Sequence, residues 1–114
     1  MSKDPRALVE QFKSRQKDIR DGMPELMKHF APTMQVAFGD GVLDQKTKEL
    51  VTLGISIAVR CDYCIALHVD NCLKAGATRE EIMDVCAVTI AMGGGPSYTY
   101  AALVIDCIDA CEAG

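Results

Sequence analysis

Two cysteines three positions apart, Cys61 and Cys64, with His68 four positions further on, are the residues of this chain whose types and spacing suit chemistry. Cys61-Asp62-Tyr63-Cys64 stands where a helix is expected to begin. Residues three apart lie on one helix face, so the two sulfurs can meet. A helix start also carries partial positive charge and free N–H groups, and both favour thiolate over thiol. Thiolate is the form that attacks peroxides and disulfides. His68 falls on the same face as both cysteines, and it is one of only two histidines in the chain. A cysteine–histidine pair is a common way of activating a sulfur nucleophile. Glu49, near the start of the preceding expected helix, can orient His68 or relay its proton if those helices pack antiparallel.

Other chemistries share parts of this pattern. A C-x-x-C also suits zinc, and Cys61, Cys64, His68 and Cys72 fall along one helical face. A single rigid helix cannot wrap four ligands tetrahedrally, however, and structural zinc sites draw on separated ligand pairs. No second C-x-x-C and no H-x-x-x-H occurs in the sequence. The expectation is therefore of no metal and no cofactor. A thioredoxin fold is a second alternative, because residues 50–64 can be read as a strand running into C-x-x-C and a helix. Against it, two helical patterns precede the motif and no later pair of β-runs follows. The third alternative is that both cysteines are simply packed, which His68 on the same face makes less natural. Cys72, Cys86, Cys107 and Cys111 lie in apolar helical patterns and are expected to be small buried hydrophobes.

The elements that must position these residues read as helices. Asp4-Pro5 is a helix start with an aspartate cap and proline at the first helical position. Leu8, Phe12 and Ile19 make residues 5–21 amphipathic, and Gly22 ends the segment. A second helix opens near Pro24, with Met23, Leu26, Met27, Phe30, Met34, Ala37 and Phe38 at spacings of three and four. Pro32 within it is expected to kink or split it. Asp44 can cap a third helix, carrying Glu49 and running to about Arg60. Its β-branched stretch, residues 50–59, is equally readable as a buried strand by periodicity alone. A fourth helix starts around Cys61–Asp62 and stops at Gly76. Thr78-Arg79-Glu80-Glu81 is a capping box for a fifth, ending at Gly93-Gly94-Gly95. Pro96-Ser97 begins a sixth whose body is Tyr100 to Cys111.

The expected architecture is thus all-α: one compact domain, residues 1–114, of about six helices. Segments 50–59 and 100–108 have too few polar positions for solvent-facing helices, which predicts a homo-oligomer. A net charge of −4 with no basic stripe argues against a nucleic-acid partner. The charged start, Met1-Ser2-Lys3-Asp4-Pro5-Arg6, is followed by no apolar h-region. No stretch reaches the roughly 18 uninterrupted apolar residues of a spanning helix, so no membrane partner is expected. The expected compartment is the cytoplasm, which does not favour structural disulfides.

Taken together, Glu49, Cys61, Cys64 and His68 form E-x11-C-x2-C-x3-H. This pattern resembles the alkylhydroperoxidase D-like branch of the carboxymuconolactone decarboxylase family. The likeness runs from about Leu43 through Ile108, taking in Cys-Asp-Tyr-Cys-Ile-Ala-Leu-His-Val and Ala-Gly-Ala-Thr-Arg-Glu-Glu-Ile. The resemblance implies an all-α domain that assembles into trimers or hexamers, and helix rather than strand at 45–60. It implies a thiol-dependent peroxidase with disulfide reductase chemistry. By the same resemblance Cys64 is the peroxide-attacking thiolate, Cys61 the resolving thiol, His68 the base and Glu49 its partner. The implied partners are a hydroperoxide and an external dithiol, such as a protein-bound dihydrolipoyl group. One position departs from the pattern. The best-studied type has a second histidine just before its second cysteine, where this chain has Tyr63. The likeness does not extend to the decarboxylases that name the family, which lack the cysteine pair.

Overall fold

The computed structural model describes residues 4–114; the first three residues of the charged start lie outside them. Six α-helices and no strand make up the described residues: α1 (Pro5–Gly22), α2 (Pro24–Phe38), α3 (Gln45–Ala58), α4 (Asp62–Lys74), α5 (Arg79–Gly93) and α6 (Gly95–Glu112). The caps sit where side-chain chemistry puts them. The Asp4 carboxylate accepts from the Arg6 N–H and that of Asp44 from the Thr47 N–H. Thr78 and Glu81 exchange the reciprocal bonds of a capping box at the start of α5.

The β-branched stretch of 50–59 is helical, because Leu53 and Ile57 recur at a helical spacing and both are buried against the other helices. The helix ends at Ala58, slightly short of the expected Arg60. Pro32 does not split its segment, and α2 runs through it. Its missing N–H costs one backbone bond on an exposed helix, and the neighbouring Thr33 hydroxyl donates to the His29 carbonyl at 2.9 Å.

The core lies among α3, α4, α5 and α6. Leu53 and Ile57 meet Ile65, Val69 and Cys72 of α4, Ile82 and Cys86 of α5, and Val104, Cys107 and Ile108 of α6. Each fully buried aliphatic side chain contributes about 1.5–3 kcal/mol. α1 lies against α4 with Leu8 and Val9 packed on this cluster, whereas α2 contributes no buried residue. No described helix is long and apolar enough to cross a membrane.

Candidate functional site

The site is built on a helical hairpin. α3 and α4 pack together, joined by the short turn Val59-Arg60-Cys61. Arg60 closes α3 in the left-handed conformation, with φ at 60°. Its N–H bonds the Ile57 carbonyl at 3.1 Å, and the Cys61 N–H reaches back to Ser56 at 3.0 Å. These two bonds satisfy carbonyls that the helix end would otherwise leave open. The turn delivers Cys61 directly to the cap position of α4, where its sulfur accepts the Cys64 N–H at 3.2 Å.

Cys64 lies in the first turn of α4, and its sulfur is joined to that of Cys61 as a disulfide, with the Cα atoms 5.2 Å apart. Both cysteines are partly exposed, so burial does not separate them. One turn further along α4, His68 Nδ1 lies 2.7 Å from Glu49 Oε2, the carboxylate that the hairpin folds back from α3. The His68 and Glu49 side chains are only 18% and 12% exposed, so the pair is largely shielded from water. An ionised carboxylate only accepts, so Nδ1 donates and Nε2 is left as the proton acceptor of the neutral ring.

Phe38, at the end of α2, stacks over the imidazole at a centroid distance of 6.1 Å and an interplanar angle of 11°. The first turn of α3 holds it there. Lys48 Nζ donates to the carbonyls of Ala37 (3.0 Å) and Gly39 (2.6 Å), and Gln45 Nε2 donates to that of Phe38 (2.6 Å). These donors satisfy the open carbonyls of α2, and the lysine charge suits the negative end of the helix dipole. Tyr63, between the two cysteines, is partly exposed and packs on Phe12 of α1, with ring centroids 6.4 Å apart. Spacing marks Phe38 only as part of the apolar pattern of the second helix and not as a residue of the site. Phe38 is distant in sequence from His68, and no local signal links the two.

The remaining cysteines divide. Cys72, Cys86 and Cys107 are buried as expected, but Cys111 is partly exposed, and its thiol donates to the Asp70 carboxylate at 3.7 Å. Burial, and then the negative charge of Glu49, pushes the Cys72 thiol up to about 12. Burial leads the same rise to about 12 at Cys107. Among the described residues no group of three or more His, Cys, Asp or Glu side chains converges as a metal-ligand set.

The four residues chosen by spacing thus form two joined pairs, Cys61 with Cys64 at the start of α4 and His68, one turn further along it, with Glu49 of α3. The site contains a disulfide-forming pair, a helix N-terminus and a hydrogen-bonded histidine–carboxylate pair. Such a group can cycle two electrons through sulfur and move a proton beside it.

The chain is similar to known proteins in sequence and in fold. The model of the carboxymuconolactone decarboxylase family matches residues 24–106. An uncharacterized protein of Cupriavidus necator is 35% identical over 95 residues, which cover 83% of this chain and 84% of that protein. The crystal structure of an apo carboxymuconolactone decarboxylase family protein from Legionella pneumophila superposes with a TM-score of 0.90 at 35% identity, covering 96% of this chain and 98% of the other. A second structure, from Thermotoga maritima, has a TM-score of 0.72 at 30% identity over 76% of this chain and 90% of its own. That protein has been suggested to take part in an antioxidative response. With its six-helix fold and a family match over most of its length, this chain belongs to the carboxymuconolactone decarboxylase family.

Proposed function

We propose that the chain is a thiol-dependent peroxidase that reduces hydroperoxides through Cys61 and Cys64. The observation that carries this reading is the placement of the cysteine pair on the first turn of α4, one turn below a histidine that is hydrogen-bonded to a shielded carboxylate. The antioxidative role suggested for the Thermotoga relative points the same way.

In the reduced protein, His68 Nε2 takes the Cys64 proton and the helix N-terminus steadies the thiolate. The sulfur attacks the distal oxygen of ROOH. The O–O bond breaks, Cys64 becomes a sulfenic acid, and the departing alkoxide leaves as ROH with the proton held by His68. The Cys61 thiol then attacks the sulfenic sulfur, releasing water and forming the disulfide. An external dithiol reduces it in two exchanges, becoming a disulfide itself and returning both thiols. By resemblance a protein-bound dihydrolipoyl group is the natural reductant. The cap bond at Cys61 stabilises that sulfur as a leaving thiolate when the dithiol attacks Cys64. A reducing compartment such as the cytoplasm suits the cycle.

A second reading, thiol–disulfide exchange or redox sensing with little peroxide turnover, is favoured by Tyr63. It stands where the best-studied relatives carry another histidine, which leaves one proton carrier fewer. Steady peroxide consumption with dihydrolipoamide decides for the peroxidase. Reversible disulfide formation without turnover decides for the second reading. The roles of the two cysteines are read by mass spectrometry after a brief peroxide pulse. Cys61→Ser is expected to stop at a sulfenic acid on Cys64 that over-oxidises. Sulfenic or sulfinic acid on Cys61 in Cys64→Ser, with Cys64 unmodified in Cys61→Ser, would reverse the assignment.

A further inference from the structure

His68 is held at one edge by Glu49, and one hydrogen bond does not fix a ring. It sets where Nδ1 lies, but the outer torsion of a histidine side chain has a broad minimum, so the imidazole can still tilt about that contact. Tilting moves Nε2, the nitrogen left to accept a proton. The face of the imidazole meets Phe38, whose ring is parallel to it within 11° at a centroid distance of 6.1 Å. Aromatic rings favour such offset stacking. A bond in the plane and a ring above the plane together restrain both position and tilt.

Burial does not place Phe38 there. No residue of α2 is buried, and the rest of its apolar row, Leu26, Phe30 and Met34, is exposed. The end of the helix is instead tied to the first turn of α3. Lys48 Nζ donates to the carbonyls on both sides of Phe38, those of Ala37 and Gly39, and Gln45 Nε2 donates to the carbonyl of Phe38 itself. Three successive carbonyls are thus held from one helix. A Cβ at Gly41 would stand 3.1 Å from Lys48 Nζ, so glycine there leaves the ammonium its place. Lys48 and Glu49 are neighbours in sequence, and they act on His68 from two directions. Glu49 bonds its edge, and Lys48 reaches its face through the backbone of α2 and the Phe38 ring.

We infer that Phe38, held by Lys48, is a positioning residue that keeps the plane of the His68 ring aligned for proton exchange with Cys64. The inference rests on the reading of His68 as the base of the thiol site. In that reading one proton leaves Cys64 Sγ for Nε2 as the sulfur attacks, and the same proton passes on to the departing alkoxide. Both transfers use the Nε2 lone pair, which lies in the plane of the ring, so a tilted ring weakens both. Phe38 itself gives and takes no proton. Its effect on the rate therefore passes wholly through His68, and Phe38 matters only while that imidazole is present.

Variants of Phe38 and Lys48 test this, with helicity read by circular dichroism and oxidation of Cys64 by tert-butyl hydroperoxide followed by stopped flow. Phe38→Ala is expected to slow the oxidation about 10-fold, less than loss of the histidine does. Phe38→Tyr keeps a flat ring and is expected to stay within about twofold of wild type. Phe38→Leu keeps apolar bulk without the ring and is expected to be nearly as slow as Phe38→Ala. Lys48→Met leaves both rings in place and is expected to slow the reaction several-fold. The deciding variant is Phe38→Ala/His68→Ala, expected to react no more slowly than His68→Ala. A further loss of about 10-fold in that double variant, or a wild-type rate in Phe38→Ala, overturns the role of Phe38. The same cycle run with dithiodipyridine, a disulfide that the Cys64 thiolate also attacks, separates this inference from the peroxide reading. Slow peroxide oxidation in every protein, with the cycle intact toward the disulfide, removes the peroxidase and leaves Phe38 in its role. Fast peroxide oxidation of the wild type with additive losses in the cycle leaves the peroxidase and overturns Phe38.

Discussion

The two ends of α4 carry the same side chain into opposite chemistry. At the N-terminal end Cys61 and Cys64 are partly exposed, and Cys61 caps the helix by accepting the Cys64 N–H. At the C-terminal end Cys72 is fully buried, and its thiol is pushed up to about 12. Spacing alone puts Cys61, Cys64, His68 and Cys72 along one face. Which sulfurs react is decided by the pole of the helix they occupy and by the water they reach. Glu49 sharpens the contrast, because one carboxylate serves both ends. It fixes His68 at 2.7 Å, yet its charge opposes a thiolate at Cys72.

The largest expected effect separates the ends directly. Cys64→Ser is expected to slow peroxide-driven oxidation, followed by stopped flow, by roughly 10³-fold or more, as loss of a nucleophile does. Cys72→Ala is expected to leave that rate within about a factor of two, since a buried protonated thiol takes no part. Comparable losses in the two variants would remove the distinction.

Next in size is the histidine between the ends. His68→Ala is expected to lower the rate by about 10²-fold, the low end of what a positioned acid–base group supplies. Glu49→Gln is expected to lower it less and to change the pH profile, because the amide can no longer hold a charged imidazole. The same change removes a negative charge from beside Cys72, so alkylation of Cys72 at high pH is expected to quicken. A Glu49→Gln variant that changes neither profile breaks the claim that one carboxylate acts at both ends.

Much of this constellation is legible in the sequence, for local reasons. The caps Asp4, Asp44 and Thr78 are read from residue type, and α4 begins where the C-x-x-C lies. Glu49 and His68 meet because the short turn folds α4 back along α3. What stays hidden depends on packing without a period. Phe38 reaches His68 only through Lys48 and Gln45 holding the end of α2. Pro32 is tolerated because α2 is exposed, and exposure cannot be read from its apolar pattern, which resembles that of a buried helix. Cys111 sits in such a pattern too, yet it lies on the rim beside Asp70.

Stability against pH gives a third contrast, in a different quantity. The Cys72 thiol ionises near 9.0 ordinarily and at about 12 in the fold. The folded chain therefore holds this proton more tightly than the unfolded one. The resulting stability is complete below about pH 9, declines as the unfolded thiol ionises, and is gone once pH passes 12. At 1.36 kcal/mol per unit the difference is on the order of 4 kcal/mol across that window. Urea midpoints of the wild type are expected to fall from pH 9 to 11, and Cys72→Ala is expected to show a shallower fall. Equal slopes in the two proteins would show that Cys72 is not held protonated. Cys61 and Cys64, locked in a disulfide, add nothing to the slope in the oxidised protein.

The smallest effect concerns how the two ends are closed. The same pair of backbone bonds appears ahead of α4 and behind it. Ahead, Arg60 bonds Ile57 and Cys61 bonds Ser56; behind, Gly76 bonds Leu73 at 3.1 Å and Ala77 bonds Cys72 at 2.9 Å. The residue in the left-handed position differs. Gly76, with φ at 95°, adopts it without penalty, whereas Arg60, with φ at 60°, carries a side chain there. A side chain in this region costs about 1–2 kcal/mol. A Cβ at Gly76 would meet nothing within 4 Å, so Gly76→Ala isolates that backbone cost and is expected to destabilise by about 1 kcal/mol or more. Arg60→Gly relieves the same cost but loosens the unfolded chain, so a net gain of about 0.5–1 kcal/mol is expected. Stability alone would favour glycine at both turns. Arginine is the residue immediately before Cys61, and a cation within reach of the pair would favour its thiolate. Arg60→Gly is therefore expected to raise stability and also raise the apparent pKa of thiol alkylation, while Arg60→Lys leaves that pKa near wild type. A variant that loses stability, or gains it with the thiol pKa unmoved, would leave the two turns equivalent.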